Sequence, residues 1–462
     1  MKPGCSATTE RGNPMRQRRI FTVILAASLG CVLFAACAPQ ESGGAAGAGE
    51  TFAGLPRVAP ETAGMSSERL DRIRPAFESY VTDGKLSGVV TVVSRGGQVV
   101  HVEASGHQDV EAGEPMAEDT IFRMYSMTKP VASAALMILW EEGHFLLSTP
   151  LAQVLPEFAD TQVYVSGEGD DMETETPRRP IVIRDLMTHT SGLTYTFIPS
   201  PVAASYAAAG LEGSADAVPH DDLEHYVQEL AKQPLLAHPG TAWNYSVGLE
   251  VAGRVVEVVS GQSFRDFLKE RIFDPLGMVD TDFYVPDEKL DRLAVNYAPT
   301  PEGGIVVFDD PETSAYRKPP KVEMGGSGLV ATAGDYLRFA QMLANGGELD
   351  GVRILGTQTV ALMTDNHLGS AYGPSPMSSL NLDMGMSEGM GYGLGGYSIT
   401  DTGLTGLPAS PGTYGWGGAA STDFLVDTEE DLVAMVLTQL LPTGTYPLRP
   451  TMEVLTYQAI VE

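Results

Sequence analysis

Cysteine is nearly missing from this 462-residue chain: Cys5, Cys31 and Cys37 are the only three, all close to the N-terminus. From residue 38 onward there is neither a disulfide nor a thiol nucleophile, so that part must be held by packing and must use another side chain for any covalent chemistry. Basic residues are also scarce, 29 against 59 acidic ones, for a formal charge of -30. Such a field disfavours nucleic acid and anionic lipid as direct partners. After the leader no run approaches the roughly 20 consecutive apolar residues that span a bilayer as a helix. Metal and nucleotide signatures are absent as well. There is no His-Glu-x-x-His, His220 and His225 lack ligand partners at useful spacing, and no phosphate-binding Gly-rich loop occurs, so neither a metal nor another cofactor is implied. The acidic run Glu168-Gly169-Asp170-Asp171 reads as a solvated loop.

What is present suits a large globular body, with 43% apolar and 19% charged residues. Arg16, Arg18 and Arg19 precede an apolar run over residues 20–36, the shape of a secretory signal. Cys37 follows Phe34-Ala35-Ala36, a junction that resembles the lipobox at which bacterial lipoproteins are cut and acylated. The expectation is a signal over residues 1–36, lipidation of Cys37, and a flexible Gly/Ala/Ser-rich tether over residues 37–59. The product would be an exported bacterial protein, periplasmic or tethered to a membrane by its lipid.

Ser66 or Ser67 can cap a helix carrying Leu70, Ile73, Phe77 and Tyr80 on one face. Residues 89–93 and 99–102 are β-branched runs around a Gly-Gly turn, which predicts an antiparallel hairpin. A helix over residues 132–140 ends before Gly143, one over 249–259 ends at Gly261, and another over 336–343 runs into Asn345-Gly346-Gly347. Residues 424–426 and 432–437 read as strands, and 450–459 as a last helix. Strands at both ends of the chain around a helical middle predict an α+β fold, an antiparallel sheet flanked by helices with a largely helical insertion. Its α/β part would cover about 60–140 and 385–462, and the helical part about 141–384.

Ser126-Met127-Thr128-Lys129 is the one Ser-x-x-Lys in the chain. Pro130 lacks an amide proton and is tolerated only in the first turn of a helix, which puts Ser126 at a helix N-terminus. There Ser126 and Lys129 share a face, and unpaired backbone amides supply partial positive charge. A serine hydroxyl needs a base to act as nucleophile. Lysine is such a base when burial lowers its pKa, and Ile121, Met124, Met127 and Val131 offer the apolar surroundings. The bland alternative is a surface lysine one turn from a capping serine. Tyr245-Ser246-Val247 leads into the helix at 249, and Gly415-Trp416-Gly417-Gly418-Ala419 precedes a strand, its glycines allowing a backbone to approach a ligand closely.

In this order, Ser126-x-x-Lys129, Tyr245-Ser246 and Trp416-Gly417-Gly418 resemble the three motifs of the serine β-lactamase and penicillin-binding-protein family, specifically its class C and esterase branch. The resemblance extends from about residue 60 to the C-terminus. Thr120-Ile121-Phe122-Arg123, the segment from Leu186 to Leu193 that contains His189, and Gly325-Gly326-Ser327-Gly328-Leu329 also resemble family segments. It implies that Ser126 is acylated, that Lys129 and Tyr245 share the proton transfers, and that the amides of Ser126 and Ala419 form an oxyanion hole. Trp416, Gly417, Gly418 and Val247 would then line the substrate. Two departures bear on what that substrate is. Val247 replaces the usual Asn and cannot hydrogen-bond a substrate amide. Trp416-Gly417 replaces Lys-Thr and removes the cation and hydroxyl that fix a carboxylate. Ester hydrolysis is therefore expected ahead of β-lactam or D-amino-acid peptide cleavage, on a small-molecule acyl substrate. The reading from another class is a catalytically silent envelope binding protein. His189 is expected to be structural, since no Gly-x-Ser-x-Gly elbow exists for it to serve.

Overall fold

The computed structural model describes residues 50–211, 218–369, 372 and 388–462. The expected signal, Cys37 and the tether up to residue 49 lie outside the described residues. The β-branched hairpin forms as its sequence predicts: β1 (Gly88–Arg95) and β2 (Gln98–Asp109) pair antiparallel. Gly96 and Gly97 between them have φ of 59° and 71°, the left-handed pair that a tight hairpin turn demands. With β3 (Glu114–Pro115), β4 (Met390–Tyr392), β5 (Tyr397–Ile399), β6 (Tyr414–Gly417), β7 (Asp423–Asp427) and β8 (Leu432–Leu437) they build one antiparallel sheet of eight strands. Its order is β4-β5-β6-β7-β8-β1-β2-β3. Strands from the early and the late parts of the described residues meet at the β8–β1 pairing.

Every residue of β8 and all but the last of β1 are buried, which requires cover on both faces. Five helices matter here: α1 (Ile73–Thr82), α2 (Thr128–Glu141), α3 (Gly248–Ser260), α4 (Ala333–Ala344) and α5 (Leu448–Tyr457). Pairing register sorts them. Arg74 of α1 meets Glu103 at 2.7 Å, and Tyr457 of α5 donates to Asp427 at 2.6 Å. Glu103 lies opposite Thr91, Thr91 opposite Val436, and Asp427 opposite Leu432, so α1 and α5 cover one face. On the other face the Tyr336 ring of α4 packs on Phe424 at 5.0 Å, and Ser94 donates to Gln341 at 2.7 Å. Trp416 lies opposite Phe424 and points to the α4 side.

α2 is buried from Thr128 to Leu139, as befits a helix that is apolar all round. It packs against α3, whose end is set by Gly261 at a φ of 74°. The helix expected around Leu70 and Tyr80 is broken in two, Ser67–Leu70 and then α1. Pro75 is the reason, because it cannot donate back across the break at Asp71-Arg72. The expected tether also ends sooner than residue 59. Thr51–Phe52 pairs with Leu55–Pro56, and Phe52 and Leu55 are buried against the body, since two apolar side chains there find a surface to cover. Among the described residues no helix is long and apolar enough to cross a membrane.

Candidate active site

The short strand Ile121–Arg123 pairs with Val330–Thr332 and leads into a 3-10 turn, Tyr125–Met127, which runs directly into α2. Ser126 therefore stands at the N-terminal entrance of a buried helix, with Pro130 inside its first turn as the sequence predicts. Tyr125 has a φ of 44°, a left-handed conformation that costs energy for a bulky residue and is held here by its surroundings. The amide of Met124 donates to Leu329 at 2.9 Å, and that of Leu329 to Thr128 Oγ1 at 3.0 Å. These bonds clamp the turn to the glycine-rich segment before residue 330.

Ser126 is half-buried, while Lys129 is 1% and Tyr245 2% exposed. Both side chains converge on its hydroxyl. Tyr245 donates to Ser126 Oγ at 2.7 Å, and Lys129 Nζ lies 3.1 Å from the same atom. Lys129 also donates to the Gly326 carbonyl at 2.7 Å and sits 4.5 Å from the Tyr245 ring centre and 5.2 Å from that of Tyr195. Desolvation pulls the Lys129 amine well below the ordinary lysine range, opposed by the charge of Glu250. Burial pushes the Tyr245 hydroxyl upward. The arrangement thus holds a tyrosine that stays protonated beside an amine that can be neutral, the pairing needed to give one proton and accept another.

Behind Tyr245 lies His189, fully buried, with ring centres 4.7 Å apart. Its Nδ1 accepts the Ser246 amide at 3.2 Å, and burial holds the imidazole neutral. It fixes the second motif from behind, in keeping with a structural role. The loop carrying it is tied to the same motif by the Asn244 amide, which donates to the His189 carbonyl at 2.8 Å.

The third motif straddles the end of a strand: Trp416 and Gly417 are part of β6, and only Gly418 and Ala419 lead toward β7. A side chain on Gly418 would place its Cβ 2.4 Å from the Met124 carbonyl oxygen and 2.3 Å from Thr422 Oγ1. Only glycine lets this strand end close on the nucleophile turn, which leaves Ala419, half-buried, as the next residue. Trp416 and Val247, expected against substrate, are both 0% exposed. The Trp416 indole packs on Tyr245 at 5.7 Å and Tyr392 at 5.1 Å, so it buttresses the tyrosine. Val247 is turned into the core just before α3. An indole on the inner face of a covered sheet has no path to solvent. The apolar surface beside the site belongs to Phe197, 50% exposed and stacked on Tyr195 at 4.8 Å.

Sequence reasoning passed over Phe197, Tyr195 and Glu250. Glu250 is 0% exposed on α3, and Tyr195 donates to its carboxylate at 3.5 Å. The available signal was a lone acid amid Leu249, Val251 and Ala252. The glycine-rich segment was legible only as a resemblance. A Cβ on Gly325 would fall 2.2 Å from the Leu249 carbonyl, so these glycines let the segment run against α3. Among the described residues no three His, Cys, Asp or Glu are grouped to hold a metal ion.

Residues 73–457 match the Beta-lactamase family. Protein Rv1367c of Mycobacterium tuberculosis is 34% identical over 380 residues, covering 81% of this chain and 90% of that protein. Esterase EstB of Burkholderia gladioli is 31% identical over 385 residues, covering 79% and 89% respectively. Among solved structures, EstCE1, a hydrolase with promiscuous acyltransferase activity, superposes with a TM-score of 0.71 at 28% identity, covering 86% of this chain and 99% of its own. The chain belongs to the beta-lactamase family, in its class C-like branch of esterases and acyltransferases.

Proposed function

We propose that the protein cleaves carboxylic esters through an acyl-enzyme on Ser126, with water or a second alcohol as acceptor. The observation that carries this reading is the Ser126 hydroxyl held between Tyr245 at 2.7 Å and Lys129 at 3.1 Å. As Ser126 Oγ attacks the ester carbonyl, neutral Lys129 takes its proton. The amides of Ser126 and Ala419 receive the developing oxyanion. Tyr245 protonates the departing alkoxide and is reprotonated from Lys129. Water or an alcohol then enters, and the same groups act in reverse to release the acid or a new ester. Arrival of an alcohol in place of water turns hydrolysis into acyl transfer, in line with the activities named for EstCE1.

Esters are favoured over β-lactams because the second and third motifs, with Val247 and Trp416 buried in the core, bring to the site neither an amide-binding group nor a cation for a lactam carboxylate. Each missing charge-assisted hydrogen bond forfeits about 1.5–3 kcal/mol of recognition, and two such losses amount to roughly two to four decades in rate. A fluorophosphonate probe is expected to label Ser126, located by mass spectrometry; label elsewhere, or none, refutes the reading and favours a silent binding protein. Short-chain p-nitrophenyl esters are expected to turn over readily and nitrocefin slowly. A higher kcat/KM for nitrocefin than for p-nitrophenyl butyrate would leave Ser126 standing and overturn the ester preference.

The Phe34-Ala35-Ala36-Cys37 junction supports a further part of the proposal, export and membrane tethering by a lipid on Cys37. Cys37→Ala should release the protein from membranes, and unchanged partitioning into detergent argues against acylation.

A further inference from the structure

Glu250 is a carboxylate that the reaction above does not use. It is fully buried, and its Oε2 has no hydrogen-bond partner among the described residues. Gly326 stands between it and Lys129. The carbonyl of Gly326 accepts from Lys129 at 2.7 Å. On its other side a Cβ would fall 2.3 Å from Glu250 Oε1 and 2.7 Å from the Tyr195 hydroxyl. Only glycine lets both groups share this neighbour.

A carboxylate removed from water is costly unless a positive charge or several hydrogen bonds match it. The groups turned toward the pair are few. α2 supplies Lys129, the loop before α3 supplies Tyr245, and the loop after the helix Ile183–Met187, which packs on α3, supplies His189 and Tyr195. Tyr226 of the helix Leu223–Ala231 and Tyr392 of β4 face Tyr195 from further out. His189 is held neutral and the Tyr195 and Tyr392 hydroxyls are held protonated by burial. Lys129 is therefore the positive charge that can match Glu250, and Glu250 the negative charge that can match Lys129.

We infer that Glu250 is the counter-charge of Lys129, a positioning residue that sets the pH at which the amine becomes free to take the Ser126 proton. This rests on the reading of Ser126 and Lys129 as nucleophile and base. The sign follows from electrostatics. Burial lowers the Lys129 pKa and raises that of the Glu250 carboxyl, and each charge works against the shift of the other. Without the Glu250 charge the ammonium form loses support, so the neutral amine persists to lower pH.

The test uses the full-length chain and needs no knowledge of the natural substrate. The rate of fluorophosphonate labelling of Ser126 is followed from about pH 5 to pH 9, with circular dichroism as the check on folding. In Glu250→Gln the midpoint of the acid limb should fall by about one pH unit or more, while Glu250→Asp should restore it toward the parent value. Tyr195→Phe removes the hydroxyl that supports the carboxylate and keeps the ring; it should shift the midpoint in the same direction by less. An unmoved limb in folded Glu250→Gln overturns the inference, and if that variant does not fold, an unmoved limb in Tyr195→Phe does so. Neither result touches the assignment of the nucleophile. That assignment fails separately if the parent protein is not labelled at Ser126.

Discussion

The two sides of Ser126 are built by opposite means. On the helical side the wall consists of side chains: Lys129, Tyr195 and Tyr245 at 1–2% exposure, with His189 and Glu250 at 0%. On the sheet side it is backbone, the end of β6 and the residues after it, where what matters is the lack of a side chain on Gly417 and Gly418 ahead of Ala419. The first wall tunes protons, because burial sets which of its groups carry charge. The second sets distance, because a strand with no Cβ in the way can press its amides against the nucleophile turn. Each wall should fail in its own way.

The helical side should show the largest effects. Ser126→Ala and Lys129→Ala are each expected to lower ester turnover by roughly 10³- to 10⁶-fold, since members of one catalytic unit fail together. Thermal melts should confirm that both variants stay folded. A Lys129→Ala enzyme with near-parental turnover would mean that the base lies elsewhere and that the two walls do not divide the work as described.

On the sheet side, Gly418→Ala adds one methyl group where the Met124 carbonyl oxygen would be 2.4 Å away. The strand end must back off, and a displacement of about 1 Å at the reacting centre costs on the order of 10²-fold in rate. The loss should fall on kcat, with the pH profile unmoved, because no proton-carrying group has changed. A shifted acid limb in this variant would blur the distinction between the walls.

The smallest effect belongs to the mouth. Phe197 is half exposed, so Phe197→Ala removes acyl-chain contact without touching the proton path. Relative kcat/KM for butyrate over acetate esters should fall up to about tenfold, with acetate turnover little changed. An equal loss on both esters would place Phe197 in support of Tyr195 and not against the acyl chain.

How far these parts were legible in the chain varies with their range of action. The β1–β2 hairpin, α2 with Pro130 in its first turn, and the stop of α3 at Gly261 follow from patterns a few residues long, and all appear as expected. Ser126 and Lys129 face each other because three residues along a helix is nearly one turn. Trp416 and Val247 are expected against the substrate from their motifs and are buried instead. Their placement depends on which face of β6 the sheet covers and on how α3 enters the core, neither of which is local. The expected tether reaches too far for a similar reason, since Phe52 and Leu55 look like linker residues until a surface elsewhere in the chain receives them.

The sequence by itself determined the covalent toolkit: one serine and one lysine spaced a helical turn apart, a tyrosine ahead of α3, a glycine pair closing β6, and no cysteine or metal signature to compete with them. Only the tertiary structure decided what these groups experience. Tyr245 comes within 2.7 Å of a serine 119 positions away, and Gly326 places Glu250 and Lys129 on its two sides. The reason is physical. Spacing along a helix or strand is set by the backbone, whereas burial and the pKa values that follow from it are set by what distant segments bring to the same volume.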